Sequence, residues 1–190
     1  MIQEAGTDEM RQDVLDFFLI NFHDIDPNAV PMTALDGMYA PLVVQFRDDV
    51  TGRLLGAALS CRAQVAAGST FMKARGVPLE SEADYSGVLD RHSELDLMSV
   101  APEARGQGIG SQMLMYMEEK LCRRGVRVWF GNATADLQTD RLRGFYTSHG
   151  FTVLGQGEPL PPFFGKRWIS PNAVPPAFYF YKKLASREER

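Results

Sequence analysis

Between residues 9 and 22 the apolar side chains Met10, Val14, Leu15, Phe17, Phe18 and Phe22 recur at three- and four-residue intervals, and acidic residues stand near the start. That spacing predicts an amphipathic helix. Residues 24–41 are broken by prolines and a glycine but keep short apolar groups, which reads as a second, irregular helix and a loop. Residues 42–46 and 54–61 are two strand-like runs, and Asp48, Asp49, Thr51 and Gly52 between them favour a turn, so an antiparallel hairpin is expected. From 62 to 92 the pattern weakens into a long connection with some helix.

The second half is more regular. A strand at 95–100, a helix from about 108 to 124, a strand at 126–131 and a helix ending near His149 alternate, and 151–154 and 177–182 read as closing strands. A proline- and aromatic-rich connection carrying Phe163, Phe164 and Trp168 joins those last two. No internal repeat is visible. A chain of 190 residues fits one domain over 1–190.

Composition narrows the function. Apolar residues make up 45% of the chain and charged residues 23%, as in ordinary globular proteins that bury a core. The net charge of -4 lacks the basic surplus that a general nucleic-acid binder uses against phosphates. No run approaches the ~20 apolar residues that cross a bilayer, and residues 1–8 have neither a basic segment nor an apolar signal core, so the expected location is the cytoplasm, away from membranes. Cys61 and Cys122 are too far apart for a zinc motif of closely spaced cysteines, His23, His92 and His149 are scattered, and no metal site is expected.

The chemistry concentrates in E-L-D-L-M-S-V-A-P-E-A-R-G-Q-G-I-G, residues 94–110, where a strand passes through Pro102 into a glycine-rich turn that opens a helix. Unpaired N–H groups and the positive end of the dipole make a helix start attractive to phosphate, and Gly106, Gly108 and Gly110 let the backbone come close. Counted from Gly108 and Gly110, the third glycine of a dinucleotide fingerprint would fall on Met113, and no P-loop lysine follows. Neither a Rossmann nor an ATP site is favoured.

The same string resembles the acetyl-CoA motif of the GNAT (Gcn5-related N-acetyltransferase) superfamily: Arg or Gln, two residues, Gly, one residue, Gly or Ala, filled here by Arg105, Gly108 and Gly110. A second segment, F-Y-T-S-H-G-F at 145–151, resembles the family's later motif, with Tyr146 on its tyrosine. The resemblance covers about residues 94–154, the expected cofactor-binding core. It implies an α/β (α+β) fold with a mixed, mostly antiparallel central sheet flanked by helices and splayed at the acetyl-CoA cleft. It further implies that the main chain around Met98, Ser99 and Val100 binds pantetheine, and that amides of Arg105, Gly106, Gln107, Gly108, Ile109 and Gly110 bind pyrophosphate. Acetyl-CoA would be the co-substrate and a small-molecule or peptide primary amine the acceptor, attacked directly in a ternary complex.

In that scheme Tyr146 is the general acid for the departing thiolate. For the base, Glu94 is the first candidate, Asp96 on the nominally same strand face an alternative, then His92 or a chain of waters. Seven residues before Tyr146, where many members have a cofactor-binding asparagine, this chain has Thr139. Phe163, Phe164, Lys166, Arg167 and Trp168 stand where the family frames its acceptor pocket, or else pack. If they line it, they suit a flat or acidic acceptor. Two other readings share the motifs: a coenzyme-binding or sensing module without transfer, and an acyltransferase for longer chains. A homodimer is compatible with all three.

Overall fold

The computed structural model describes residues 1–134, 139–169 and 177–185. Among the described residues seven strands lie in the order β1-β2-β3-β4-β5-β7-β6. They are β1 Ile2–Glu4, β2 Leu42–Arg47, β3 Leu54–Cys61, β4 His92–Val100, β5 Val128–Ala133, β6 Thr152–Val153 and β7 Phe178–Lys183. The helices are α1 Asp8–Asn21, α2 Asp36–Tyr39, α3 Gln64–Ala74, α4 Ile109–Arg123 and α5 Thr139–Ser148. The β1-β2, β2-β3, β5-β7 and β6-β7 pairs are antiparallel. The architecture is the mixed, mostly antiparallel α/β sheet expected. The chain divides into two compact units, Met1–Cys61 with Leu95–Lys120, and Arg62–Glu94 with Leu121–Arg190.

In the first unit, α1 starts where the Thr7 side chain accepts from the Met10 N–H at 3.2 Å, with Asp8 and Glu9 in its positive first turn. Its buried stripe of Arg11, Val14, Leu15, Phe17 and Phe18 follows the helical period. Arg11 is buried with the stripe because its guanidinium is satisfied: it donates to the carbonyls of Ala5 (3.1 Å) and Pro31 (3.0 Å) and to the Asp36 carboxylate. This ties the 24–36 connection to α1. The expected hairpin is present, with a register irregularity between Phe46 and Arg47.

Strand β2 does not alternate in burial. Leu42, Val43, Val44 and Gln45 are all buried, because helices cover both faces. Arg47 reaches the Gln45 side chain on one face and forms an ion pair with Asp13 of α1. On the opposite face Gly56, which pairs with Phe46, lies under α4. A Cβ at Gly56 would stand 2.9 Å from Ile109 Cγ2 and 3.1 Å from Met113 Cε, so the missing side chain sets how close α4 lies on β3. Strand β1, absent from the sequence reading, is only three residues long. Its pairing is extended by the Ala5 N–H to the Val43 carbonyl (2.8 Å) and the Arg47 N–H to the Met1 carbonyl (2.9 Å).

The second unit is built on aromatic packing. Tyr85, Val88, Val128, Phe130, Leu154, Leu160, Phe163 and Trp168 form one buried cluster with Ala63 and Ala66 of the α3 start. The Trp168 indole N–H donates to the Phe163 carbonyl at 2.9 Å, and the Tyr85 hydroxyl donates to the Arg167 carbonyl. The 160–168 strap is thereby bound into the core.

Gly56→Val is expected to push against Ile109 and Met113 and lower stability by about 1–3 kcal/mol. In thermal melts this reads as a Tm drop of roughly 2–12 °C. A melting temperature within a degree of the parent would show that α4 is free to move off the sheet.

Candidate active site

The sequence-derived candidates divide between the two units. Asp96, Met98, Ser99, Val100 and residues 105–110 belong to the first, and Glu94, Thr139 and Tyr146 to the second. In the first, β4 ends at Val100 and the Ala101 N–H donates to the Leu55 carbonyl at 2.9 Å. A 3₁₀ turn, Pro102–Ala104, follows. The Arg105 side chain then folds back, its Nε–H donating to the Val100 carbonyl at 3.1 Å. Arg105 is thus a brace of the turn as well as its first residue.

Gly106 and Gly108 adopt φ values of +81° and +77°, the left-handed region that favours glycine. A Cβ built on either would meet no atom within 4 Å, so backbone conformation, not crowding, selects glycine at both. The Gln112 N–H donates to the Gly108 carbonyl at 3.0 Å, which makes Gly108 the residue on which α4 begins. No acidic residue stands in the first helical turn to compete for its N–H groups. The buried Ile109 anchors the helix start. A 15-residue helix opening from an uncrowded, left-handed turn fits a pyrophosphate group. Met98, Ser99 and Val100 are half-buried at the end of β4.

In the second unit Tyr146 sits on α5 and is buried, with its ring stacked on Phe180 at 3.8 Å between centroids. Phe145 and Phe151 meet it edge-on at 5.4 and 5.7 Å. Burial raises its phenol well above the ordinary tyrosine range, so the hydroxyl keeps its proton throughout the neutral range. Thr139 is the first residue of α5 and, with Asp140, Arg143, Gln156 and Ala177, lines a surface cavity of about 360 Å³. Arg143 is fixed there by donating to the Leu154 carbonyl at 2.9 Å.

Glu94, the first candidate base, is buried, whereas Asp96 is half-buried. Burial pushes the Asp96 carboxyl up to about 6. His92 requires a correction. As a candidate base it has to reach the cleft, but it is buried, its ring 4.4 Å from Trp168. Its Nε2 accepts from the Ala63 N–H at 3.0 Å, so the ring proton is on Nδ1, which donates to the Val88 carbonyl at 2.9 Å. Burial holds His92 down at about 4, with Arg62 acting in the same direction. Both nitrogens are spent on tying the start of α3 to the segment before β4. Within the strap, Phe163 and Trp168 are core residues, and the Lys166 ammonium donates to the Ser81 carbonyl. Of the two cysteines, Cys61 is buried and Cys122 partly so, and neither is in a disulfide among the described residues. Among the described residues no helix is long and apolar enough to cross a membrane.

This sheet, with a glycine turn opening the helix after β4, has the fold of solved acetyltransferase structures. Residues 73–153 match the acetyltransferase (GNAT) domain family. That match spans less than half of the chain. Among solved structures, an acetyltransferase of the GNAT family from Staphylococcus aureus Mu50 is 13% identical, with a TM-score of 0.63 over 97% of this chain and 100% of that one. An aminoglycoside 6'-N-acetyltransferase complexed with coenzyme A is 14% identical, with a TM-score of 0.57 over 98% of each chain. The ribosomal-protein-S18-alanine N-acetyltransferase from Escherichia coli is 14% identical, with a TM-score of 0.56 over 97% and 94%. At these identities the likeness is one of fold. No curated protein sequence matches the chain at a significant level.

Gly108→Val forces a β-branched residue into a left-handed conformation at the helix start and is expected to weaken acetyl-CoA binding at least tenfold, while the buried parts of the fold persist. Titration calorimetry alongside a thermal melt checks this. Unchanged affinity in the folded variant removes the turn from the cofactor site.

The pH dependence of stability carries two opposing signatures. His92 is about 4 in the fold against an ordinary 6.5, so its contribution is full above about 6.5 and is lost as pH falls toward 4. Asp96 is about 6 in the fold against an ordinary 3.8, so the fold takes up a proton there and gains stability as pH falls through the same window. Asp96→Asn is therefore expected to show a steeper loss of Tm than the parent between pH 6.5 and 4. Parallel melting curves for the two proteins would show instead that the Asp96 carboxyl titrates normally.

Proposed function

We propose that this chain is an acetyl-CoA-dependent N-acetyltransferase acting on a primary amine by direct transfer. The observation that carries the reading is the turn at Arg105, Gly106 and Gly108, whose left-handed glycines open α4, since a helix start of this kind suits an anion. The coenzyme A complex of the aminoglycoside 6'-N-acetyltransferase, which shares the fold, supports the same co-substrate.

Acetyl-CoA supplies an activated thioester. The chain has to hold its diphosphate, take a proton from the amine and protect a proton for the leaving sulfur. Amides of residues 105–110 hold the diphosphate, and the main chain at Met98, Ser99 and Val100 takes the pantetheine as a strand-like neighbour. Thr139 donates a hydrogen bond to the cofactor in the place of the usual asparagine. As the nitrogen–carbon bond forms and the carbon–sulfur bond breaks, one proton leaves the amine and one is needed by sulfur. Tyr146 suits the second role, because its buried phenol remains protonated at every pH at which the amine is usefully deprotonated.

For the first role, the difference in exposure favours half-buried Asp96 over buried Glu94. At about 6 it is ionised at neutral pH yet more basic than an ordinary aspartate. Glu94 would serve from a buried position, through water.

The test is acetyl transfer to a panel of primary amines, read by thiol release across pH 5 to 9 for the parent, Asp96→Asn, Glu94→Gln and Tyr146→Phe. The parent kcat/KM is expected to rise through about pH 6 as the base ionises, with no alkaline fall from Tyr146 within that range. Asp96→Asn is expected to lose roughly 10²–10⁴-fold and the limb near pH 6, and Tyr146→Phe a similar factor in single-turnover rate with acetyl-CoA affinity kept. If Glu94→Gln shows the large loss and Asp96→Asn does not, the base is Glu94. If no amine releases thiol while acetyl-CoA binds, the chain is a coenzyme-binding module.

A further inference from the structure

One cation of the second unit is built like a receptor. Arg91 directly precedes β4, and its main chain is fixed on both sides: its N–H donates to the Val88 carbonyl at 3.0 Å, and its carbonyl accepts from the N–H groups of Arg127 (2.7 Å) and Val128 (3.1 Å). Its side chain is exposed and lies over the Phe164 ring, with the guanidinium carbon 4.4 Å from the centroid. A guanidinium over an aromatic ring gains cation–π attraction from the ring and keeps the planar fork of N–H groups that matches a carboxylate or a phosphate. Among the described residues no carboxylate pairs with it. The adjacent Asp90 is engaged by Arg62 at 2.6 Å.

The ring beneath it is held in place against its own backbone preference. Phe164 and Gly165 have φ values of +54° and +70°, and the Lys166 N–H donates to the Phe163 carbonyl at 3.0 Å, a tight turn of the kind that usually selects Asn-Gly. A phenylalanine is rare there and persists only when its surroundings over-determine it. Buried Phe163 before the turn, the Lys166 contact to Ser81 and buried Trp168 after it supply that determination.

The strap that presents Phe164 lies on a definite face of β4. Trp168 packs on His92, and Glu94 is two residues further along the same strand, hence on the same face. Arg91 is three residues from Glu94, about 10 Å of extended chain.

Resting on the N-acetyltransferase reading, we propose that Arg91, laid on Phe164, binds a carboxylate or phosphate group of the acceptor, so that the substrate is an amine carrying an anionic group several bonds from its nitrogen. This places the acidic-acceptor preference on Arg91; Lys166 is committed to Ser81.

The test uses the full chain with two matched pairs, 6-aminohexanoate against hexylamine and O-phosphoethanolamine against ethanolamine, in the parent, Arg91→Gln and Arg91→Lys. The anionic member of one pair is expected to be preferred at least tenfold in kcat/KM, and which pair it is identifies carboxylate or phosphate. Arg91→Gln is expected to lose roughly ten- to hundredfold on that member, mainly in KM, and to leave its neutral counterpart within twofold. Arg91→Lys should recover only part, since it keeps the charge without the fork. Equal use of both members of each pair by the parent, or an equal loss on both in Arg91→Gln, overturns the proposal and leaves acetyl transfer standing. If none of the four amines is acetylated, calorimetry decides with the corresponding products, 6-acetamidohexanoate against N-hexylacetamide and N-acetyl-O-phosphoethanolamine against N-acetylethanolamine. Arg91-dependent binding of an anionic product supports the anion site although turnover failed, and absence of such binding overturns it.

Discussion

The turn before α4 in the first unit depends on a backbone constraint, two left-handed residues within three positions. A strand that must give way to a helix within a few residues has to reverse direction, and at Gly106 and Gly108 it does so where side chains are disfavoured. The Arg105 side chain closes the bend onto Val100, so the turn is braced by the end of the strand that precedes it. Below it, Ile109 and Met113 settle onto the bare backbone of Gly56. Helix start, brace and close approach are one arrangement, and a site built on it is rigid because its floor is core.

A single physical cause, removal from water, sorts the titratable candidates into different roles. Burial disfavours whichever form is charged. It lowers His92, which together with its two hydrogen bonds withdraws that ring from acid-base work. It raises Tyr146, which keeps a proton available for donation. It raises Asp96 toward neutrality, the range in which a carboxylate is most useful as a base. The same cause produces a structural histidine, an acid candidate and a base candidate, according to what each group gives up when it loses solvent.

The aromatic core of the second unit reaches outward through the strap. Residues that anchor it, Phe163 and Trp168, are buried, and Phe164, the first residue after Phe163, lies half-buried in a strained turn beneath Arg91. Packing in the cluster thus positions the ring over which the exposed Arg91 guanidinium lies.

The sequence by itself determined the elements whose signals are local. Helical spacing located α1 and α4, turn residues located the hairpin, and the glycines of 106–110 marked the turn, because propensity and backbone freedom act within a few residues. The same locality carried the family resemblance through Arg105, Gly108, Gly110 and Tyr146. Tertiary structure decided what depends on distant neighbours. Strand β1 is too short to carry a period and forms by pairing with β2. His92 reads as a neutral-range titrator until Ala63, Val88 and Trp168 enclose it. Asp96 and Glu94 are indistinguishable by spacing and differ in exposure, and the Arg91–Phe164 pair joins residues 73 positions apart. Desolvation and side-chain stacking arise from residues brought together by the fold, so a linear pattern names the candidates while packing assigns their chemistry.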